Sequence, residues 1–399
     1  MPKQAVILAA GGGGRSRPFT ANRPKSMIFI AGKPLIQHVI EALKKNGIRN
    51  IIIVVGYRKE SICDFVGSGE SMGVTVNYVV QSRQLGSANA LTCAQKEVDD
   101  NFIVLPGNKF IGAETIASII NAAPPSILVK TVLDPPRNSI VLTKKGKLEN
   151  AMPPERRKIA ALVEKGSFTV DTRVYSLDRN IFPFLDNAPS ILSAVGSMMN
   201  TGVIVSALET KAEWCDLIYP WDILLVNGDA LKILEPRTAG KIGLNVILQG
   251  NVNIGDAGVI GSHCVISGPV FIGSGCSIGP NAVLDGPLSI GANSVIESFA
   301  YISNSVIGSN VHISAGAIIE DSIIDDGTYI GSRFTSVKGE ADIHIGVEHI
   351  AIKIGAMIGE GCQLGAGVIT KPGTIIGNFC NVKDLKVLSG HIPDKSLVV

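Results

Sequence analysis

Aromatic residues are scarce in this chain: 46% of its 399 residues are hydrophobic, but only 5% are Phe, Trp or Tyr. The apolar mass is Ile, Val, Leu and Ala beside 44 Gly, which points to thin, regular aliphatic layers. Net charge is nearly absent too. With 36 Lys and Arg against 34 Asp and Glu, the formal charge is +2, which gives no support to a nucleic-acid partner. No apolar run approaches the roughly 20 residues needed to cross a bilayer, so no membrane partner is expected. The opening "MPKQAVILAAGG" reads as a strand entering a loop and lacks the length and cleavage pattern of a signal peptide. The seven cysteines (Cys63, Cys93, Cys215, Cys264, Cys276, Cys362, Cys380) are scattered, with no C-x-x-C pair and no metal-like clustering. Free thiols and a cytoplasmic location are the expectation.

What is present falls into two grammars. In the first half, "QAVILAA", "NIIIVVGY" and "NFIVLPG" are short aliphatic strands, and "PLIQHVIEALKKNG" is an amphipathic helix with lysines and a Gly at its end. Such an alternation predicts an α/β, Rossmann-like domain with a parallel sheet covered on both faces. Ligands of such sheets bind at the carboxyl ends of the strands, where "LAAGGGG", "VVGY" and "VLPGN" converge. The expected boundaries are 1–228 for this domain, a linker helix over 229–243, and a second domain over 244–399.

In the second half, every sixth residue is aliphatic: Leu248, Ile254, Ile260, Ile266, Ile272, Ile278, Leu284, Ile290, Ile296 and Ile302. Neither a helix nor a strand pair has that period. A solenoid of hexapeptides does, with three short strands per triangular coil and the aliphatic column pointing inward. The column slips near Ile307 and Ile324, recurs as Ile352, Ile358 and Leu364, misses at Thr370 and returns at Ile376. The stretch between, near 332–350, breaks the period and is expected to loop out.

The most informative segment is "LAAGGGGRSRPFT". Consecutive glycines let backbone N–H groups approach phosphate oxygens, and Arg15 adds a permanently charged fork. No GK[ST] follows, so it is not a Walker loop. In "RPKSM", Lys25 supplies a second cation.

With "GKPLI" after them, these segments resemble the signature of sugar-1-phosphate nucleotidylyltransferases. "QSRQLGSANA" is similar to that family's base-contacting Q-x-x-x-G-[ST]-A segment, "VLPGN" stands where a metal-binding acid ends a strand, "VEK" resembles the sugar-contacting E-K pair, and "YPWD" resembles the late motif with a second metal ligand. A hexapeptide solenoid after this domain narrows the resemblance to bifunctional uridylyltransferase/acetyltransferases of the archaeal type, whose β-helix is left-handed. The resemblance implies a reaction of a nucleoside triphosphate, UTP or dTTP, with a hexose or N-acetylhexosamine 1-phosphate. It assigns catalysis to Arg15 and Lys25, and nucleotide binding to Leu8, Ala10, Gly11, Gly12, Gly13, Gly14, Gln81, Gly86 and Ser87. Sugar-phosphate contacts fall to Glu164, Lys165 and Asp171, and Mg²⁺ to Asn108 and Asp222. Left-handed hexapeptide helices imply a homotrimer or a dimer of trimers.

The chain departs from that pattern in several places. Gly14-Arg15 stands for G-T-R, Gly107-Asn108 for Gly-Asp, Asp171-Thr172-Arg173 for N-[AT]-G, and Leu192-Ser193-Ala194 for L-T-D. An amide is a poorer ligand than a carboxylate for a hard cation. In the solenoid, Ser298 stands where relatives carry a general-base His, and a hydroxyl cannot replace imidazole near neutral pH. Asn304 stands for the Asp that follows, and Ala351-Ile352 for a basic pair. Acetyl-CoA is therefore expected at most in a vestigial pocket, and His312, His344 and His349 as ordinary surface residues. A catalytically silent, nucleotide-sugar-binding regulatory homologue is the alternative these departures leave open.

Overall fold

The computed structural model describes residues 2–132, 139–152, 167–345 and 348–399. It divides into two compact units. The first comprises Met1–Gly12, Arg23–Met27 and Leu35–Cys215, and the second Gly13–Asn22, Ile28–Pro34 and Asp216–Val399. Among the described residues no helix is long and apolar enough to cross a membrane.

The first unit is built on a nine-stranded sheet. Its order is Thr75–Val80, Asn50–Val55, Gln4–Leu8, Asn101–Pro106, Phe168–Asp178, Ser126–Val132, Ser206–Glu209, Lys147–Met152 and Ile140–Lys144. The first four strands are parallel, with Val6 in register with both Ile52 and Val104. Their unbroken aliphatic runs follow from burial on both faces. Ala5, Ile7, Ile51, Ile53, Ile103 and Leu105 pack to one side, against Ile36, Val39, Ile40 and Leu43 of the helix Leu35–Lys45. Val6, Ile52, Val54 and Val104 pack to the other, against the helices Ser87–Cys93 and Ile191–Met199. The all-parallel expectation holds for this half of the sheet alone. Phe168–Asp178 runs antiparallel to both neighbours, and "FTVDTRVYSLD" alternates in the manner of an antiparallel strand only over part of its length, because a register shift interrupts it between Asp171 and Tyr175.

The second unit is a left-handed β-helix with three parallel sheets of nine, nine and eight strands. Each column residue pairs with its counterpart three hexapeptides on, as Ile254 with Ile272 and Ile260 with Ile278. Where the sequence period slips, a coil is one residue shorter: Ile290 pairs with Ile307, and Ile307 with Ile324. From Ile254 to Ile302 the column is fully buried, whereas Leu248, in a terminal coil, is 37% exposed. Two positions before the column sits a small residue whose thiol or hydroxyl donates to a carbonyl of the following coil. Cys264 donates to Gly279 O at 3.1 Å, Cys276 to Gly291 O at 3.0 Å, Ser294 to Gly308 O at 2.9 Å and Cys362 to Gly377 O at 3.0 Å. The buried cysteines are thus free thiols filling a repeated slot, and burial pushes Cys362 up to about 12.

Three expectations need correction. The helix placed over 229–243 lies earlier, at Asp222–Lys232, and coil strands begin at Arg237–Thr238 and Lys241–Ile242. The insert is a regular antiparallel hairpin, Gly339–Ile345 with Glu348–Ile354, rather than a loop starting near 332; Thr335–Ser336 is still a coil strand. Ile352 consequently belongs to the hairpin, and the column resumes at Ile358, paired with Ile324.

Candidate active site

A cleft of about 290 Å³ opens in the first unit at the carboxyl ends of Gln4–Leu8 and Asn101–Pro106. It brings together residues from segments far apart in the chain: Leu8, Ala10 and Gly11; Gln81, Gly86 and Ser87; and Asn108. Gln84, Pro106, Arg173 and Tyr175 complete much of the wall. Among the described residues, the lining contains one cation, Arg173, and no carboxylate. That balance suits an anionic ligand.

The glycines can be sorted by what demands each. Gly13 has φ 67°, a left-handed conformation that only glycine adopts without strain. Gly12 meets only the Tyr57 ring, at an ordinary 3.6 Å from where a Cβ would sit. Gly11 and Gly14 have nothing within 4 Å and no unusual φ. The protein's own packing therefore does not require a bare backbone at Gly11 or Gly14, where a Cβ would point into open space. Gly86 is the opposite case. Its φ is +103°, and a Cβ would lie 2.3 Å from Pro189 O.

Gln81 is 4% exposed, and its Nε2 donates to Gly86 O at 3.2 Å and Asn89 Oδ1 at 2.8 Å. Both amide protons are thereby committed to closing the 81–89 loop, and Oε1 is left as the acceptor. Ser87 is structural, its Oγ accepting from Ile191 N at 3.1 Å.

Beneath the cleft, Asp171 is 2% exposed and braces the bulge that carries Arg173. Oδ1 accepts from Arg173 N at 2.8 Å and Oδ2 from the Tyr175 hydroxyl at 2.5 Å. Burial pushes the Asp171 carboxyl up, against the opposing pull of these hydrogen bonds and of the charges on Lys109 and Arg173. Lys109 is itself fully buried, with Nζ 4.3 Å from the centre of the Trp214 ring. With both oxygens used internally, Asp171 supports the wall and does not line it, whereas Arg173, at φ 64°, does. Leu192 and Ser193 line a separate hollow with Ser139, Asn150 and Asn200, and Ala194 is buried. Glu164 and Lys165 lie outside the described residues. Lys25 opens a short 3-10 turn, Lys25–Met27, and is half-buried.

Gly13–Asn22 belongs to the second unit, where Ser16 Oγ donates to Ile218 O at 2.9 Å and Asn378 Nδ2 to Pro18 O at 3.3 Å. Arg15 projects from this segment and pairs with Glu348 of the hairpin at 3.7 Å, while Glu348 also accepts from the Tyr219 hydroxyl. The Arg15 side chain is 63% exposed, so this pair contributes little stability. Nothing in the sequence period flags Glu348, since it lies in the segment that breaks the period. Asp222, 4% exposed, accepts through Oδ2 from the amides of Ile218 and Tyr219 at 2.8 and 2.7 Å.

In the solenoid, Ser298 is half-buried, and Asn304 Nδ2 donates to Asp321 Oδ1 at 2.6 Å. His312 Nε2 lies 2.8 Å from Glu297 Oε1, whose second oxygen accepts from Ala315 N at 2.9 Å. His344 and His349 face each other across the hairpin.

Residues 4–227 match the family model described as Nucleotidyl transferase, and residues 266–341 the one described as GMPPB C-terminal domain. The chain belongs to the nucleotidyl transferase family. It is 32% identical over 385 residues to the bifunctional protein GlmU of Methanococcus maripaludis, covering 94% of this chain and 92% of that one. It is 31% identical over 339 residues to the low-salt glycan biosynthesis nucleotidyltransferase Agl11 of Haloferax volcanii, covering 82% and 94%. A solved Bacillus anthracis structure described as a glucose-1-phosphate thymidylyltransferase superposes with a TM-score of 0.51 at 24% identity, over 59% of this chain and 97% of that one. The last likeness concerns the fold alone.

Proposed function

We propose that the chain is a sugar-1-phosphate nucleotidylyltransferase that condenses UTP or dTTP with a hexose or N-acetylhexosamine 1-phosphate. The observation that carries this reading is the cleft itself, in which Leu8, Ala10, Gly11, Gln81, Gly86, Ser87 and Asn108 share one carboxylate-free wall. A sugar-phosphate oxygen attacks the α-phosphorus, the bond from that phosphorus to the bridging oxygen breaks, and pyrophosphate leaves. Both reactants are anions, so the barrier falls through positioning and charge neutralisation without a covalent intermediate.

In this reading the amides of Gly11 to Gly14, with Arg15, hold the triphosphate. Lys25 serves the α-phosphate and the attacking oxygen, and Glu164 and Lys165 serve the sugar phosphate. Gln81 Oε1, its amide protons spent inside the loop, accepts the ring N–H of uracil or thymine. Residues 1–228 carry the transfer, and 244–399 form a trimerisation scaffold whose acetyl-transfer site, with Ser298 in place of a base, is impaired.

The donors described do not fit a tightly held Mg²⁺. The cleft offers the neutral Asn108 oxygen, and Asp222 Oδ2 is already committed to two amides. As a cofactor, the ion would come with the phosphates.

A second reading, a silent nucleotide-sugar-binding subunit, is favoured by Arg173 standing in the cleft. Pyrophosphate release from a panel of triphosphates and sugar 1-phosphates with Mg²⁺ separates the two. Turnover by at least one pair, lost by about 10²-fold or more in Arg15→Ala or Lys25→Ala, is expected. Absence of turnover, with nucleotide sugars still raising the melting temperature, selects the silent reading.

A further inference from the structure

The hairpin Gly339–Ile345/Glu348–Ile354 has two unlike faces. Ala341, Ile343, Ile350, Ile352 and Ile354 form the inner one, and Ile343 is 5% exposed. The backbone lies so close to the coil at Pro372–Gly373 that a Cβ on Gly373 would sit 2.5 Å from Ala341 Cβ. The ribbon is thus held firmly, and its outer face carries Asp342, His344 and His349, all exposed. His344 and His349 are direct cross-strand partners. Their ring centres are 3.9 Å apart, inclined at 61°, and His349 Nδ1 lies 3.9 Å from Asp342 Oδ2.

We infer that these three side chains form a binding site for a divalent transition-metal ion of the Zn²⁺ or Ni²⁺ class. The three ligand atoms lie within 4.8 Å of one another. In a tetrahedral zinc site, bonds of about 2.0–2.1 Å place ligand atoms roughly 3.4 Å apart. The gap is one that small turns of exposed side chains close, with no backbone movement. Two imidazoles and one carboxylate suit borderline ions and not Mg²⁺ or Ca²⁺, which require oxygen. Three protein ligands leave a fourth position for water or an exogenous ligand. Glu348 does not compete, since it is turned to Arg15 and Tyr219. Among the described residues this is the only His/Cys/Asp/Glu group with such spacing. None of the three residues takes part in the proposed nucleotidyl transfer.

The test is calorimetric titration of the full chain with Zn²⁺, together with the visible spectrum of the Co²⁺-loaded protein. One ion per chain is expected at pH 7.5. His344→Ala and His349→Ala should abolish it and Asp342→Asn weaken it, while His391→Ala, an exposed histidine elsewhere, leaves it intact. Unchanged circular dichroism in each variant separates lost ligands from lost fold. Saturation that persists in the His344→Ala/His349→Ala double variant would assign the metal to thiols such as Cys63, Cys93 or Cys215 and overturn the inference. So would absence of binding at micromolar ion.

Discussion

Left-handed backbone means different things in the two units. In the β-helix, residues with positive φ recur at the turns, as at Asn281, Asn293, Phe299 and Asn310, so the conformation belongs to the repeat. In the α/β unit positive φ is scattered, at Arg58, Lys145, Arg173 and Asn187, and of these Arg173, on a bulge braced by a buried carboxylate, stands at the wall of the cleft. Strain that repeats is architecture; strain held at a pocket wall by a buried brace points to a ligand.

The largest expected effect lies inside the solenoid. Ile302→Ala, at a fully buried column position, should cost about 2–5 kcal/mol in urea unfolding, while Leu248→Ala in the terminal coil costs less than about 1 kcal/mol. Equal losses would mean that the column is not the load-sharing core. Gly86→Ala in the α/β unit should cost about 3 kcal/mol through the combined clash and strain, against near zero for Gly14→Ala in the second unit. If Gly14→Ala instead destabilises the chain while leaving pyrophosphate release untouched, the open space there is not a ligand's.

Arg173→Gly tests the strain at the cleft wall directly. Relief of about 1–2 kcal/mol is partly offset by about 0.5–1 kcal/mol of glycine entropy, so thermal stability should rise slightly. Loss of the cation from the wall should at the same time raise turnover if Arg173 obstructs the sugar, and a fall in both quantities would assign it to ligand binding. Asp171→Asn sharpens the contrast through pH. Burial keeps the folded-state carboxyl protonated to higher pH than in the unfolded chain. Between the ordinary carboxylate range and that raised value, parent stability therefore falls as pH rises. The variant's stability relative to the parent should climb across this window, and a pH-independent difference would refute the assignment. The smallest effect is Glu348→Gln, within about 1 kcal/mol for a pair this exposed. Release of Arg15 should tighten triphosphate binding in the same variant, and unchanged affinity would separate the hairpin contact from the nucleotide.

Local patterning made much of this legible. The period of six identified the β-helix because every coil repeats the same inward position, and the aliphatic runs identified the doubly covered strands. Gly11, Gln81 and Asn108, which the family resemblance singles out from segments far apart in the sequence, all line one cleft. The antiparallel half of the sheet was not, since its pairings join distant segments whose sequences carry no partner signal. The role of Asp171 was hidden for a related reason. A carboxylate that braces a bulge and one that meets a sugar read alike until its two acceptors are seen to be occupied. The hairpin, with its Glu348 contact to Arg15, falls where the period fails, so only its interruption was visible.

The ladder closes across that interruption: Ile324 still pairs with Ile358, and Ile330 with Leu364. Because entry and exit are one coil step apart, the length of the excursion is decoupled from the winding on either side. Such a seam is a place where evolution, or an engineer, can lengthen, shorten or exchange an appendage without rewinding the spool.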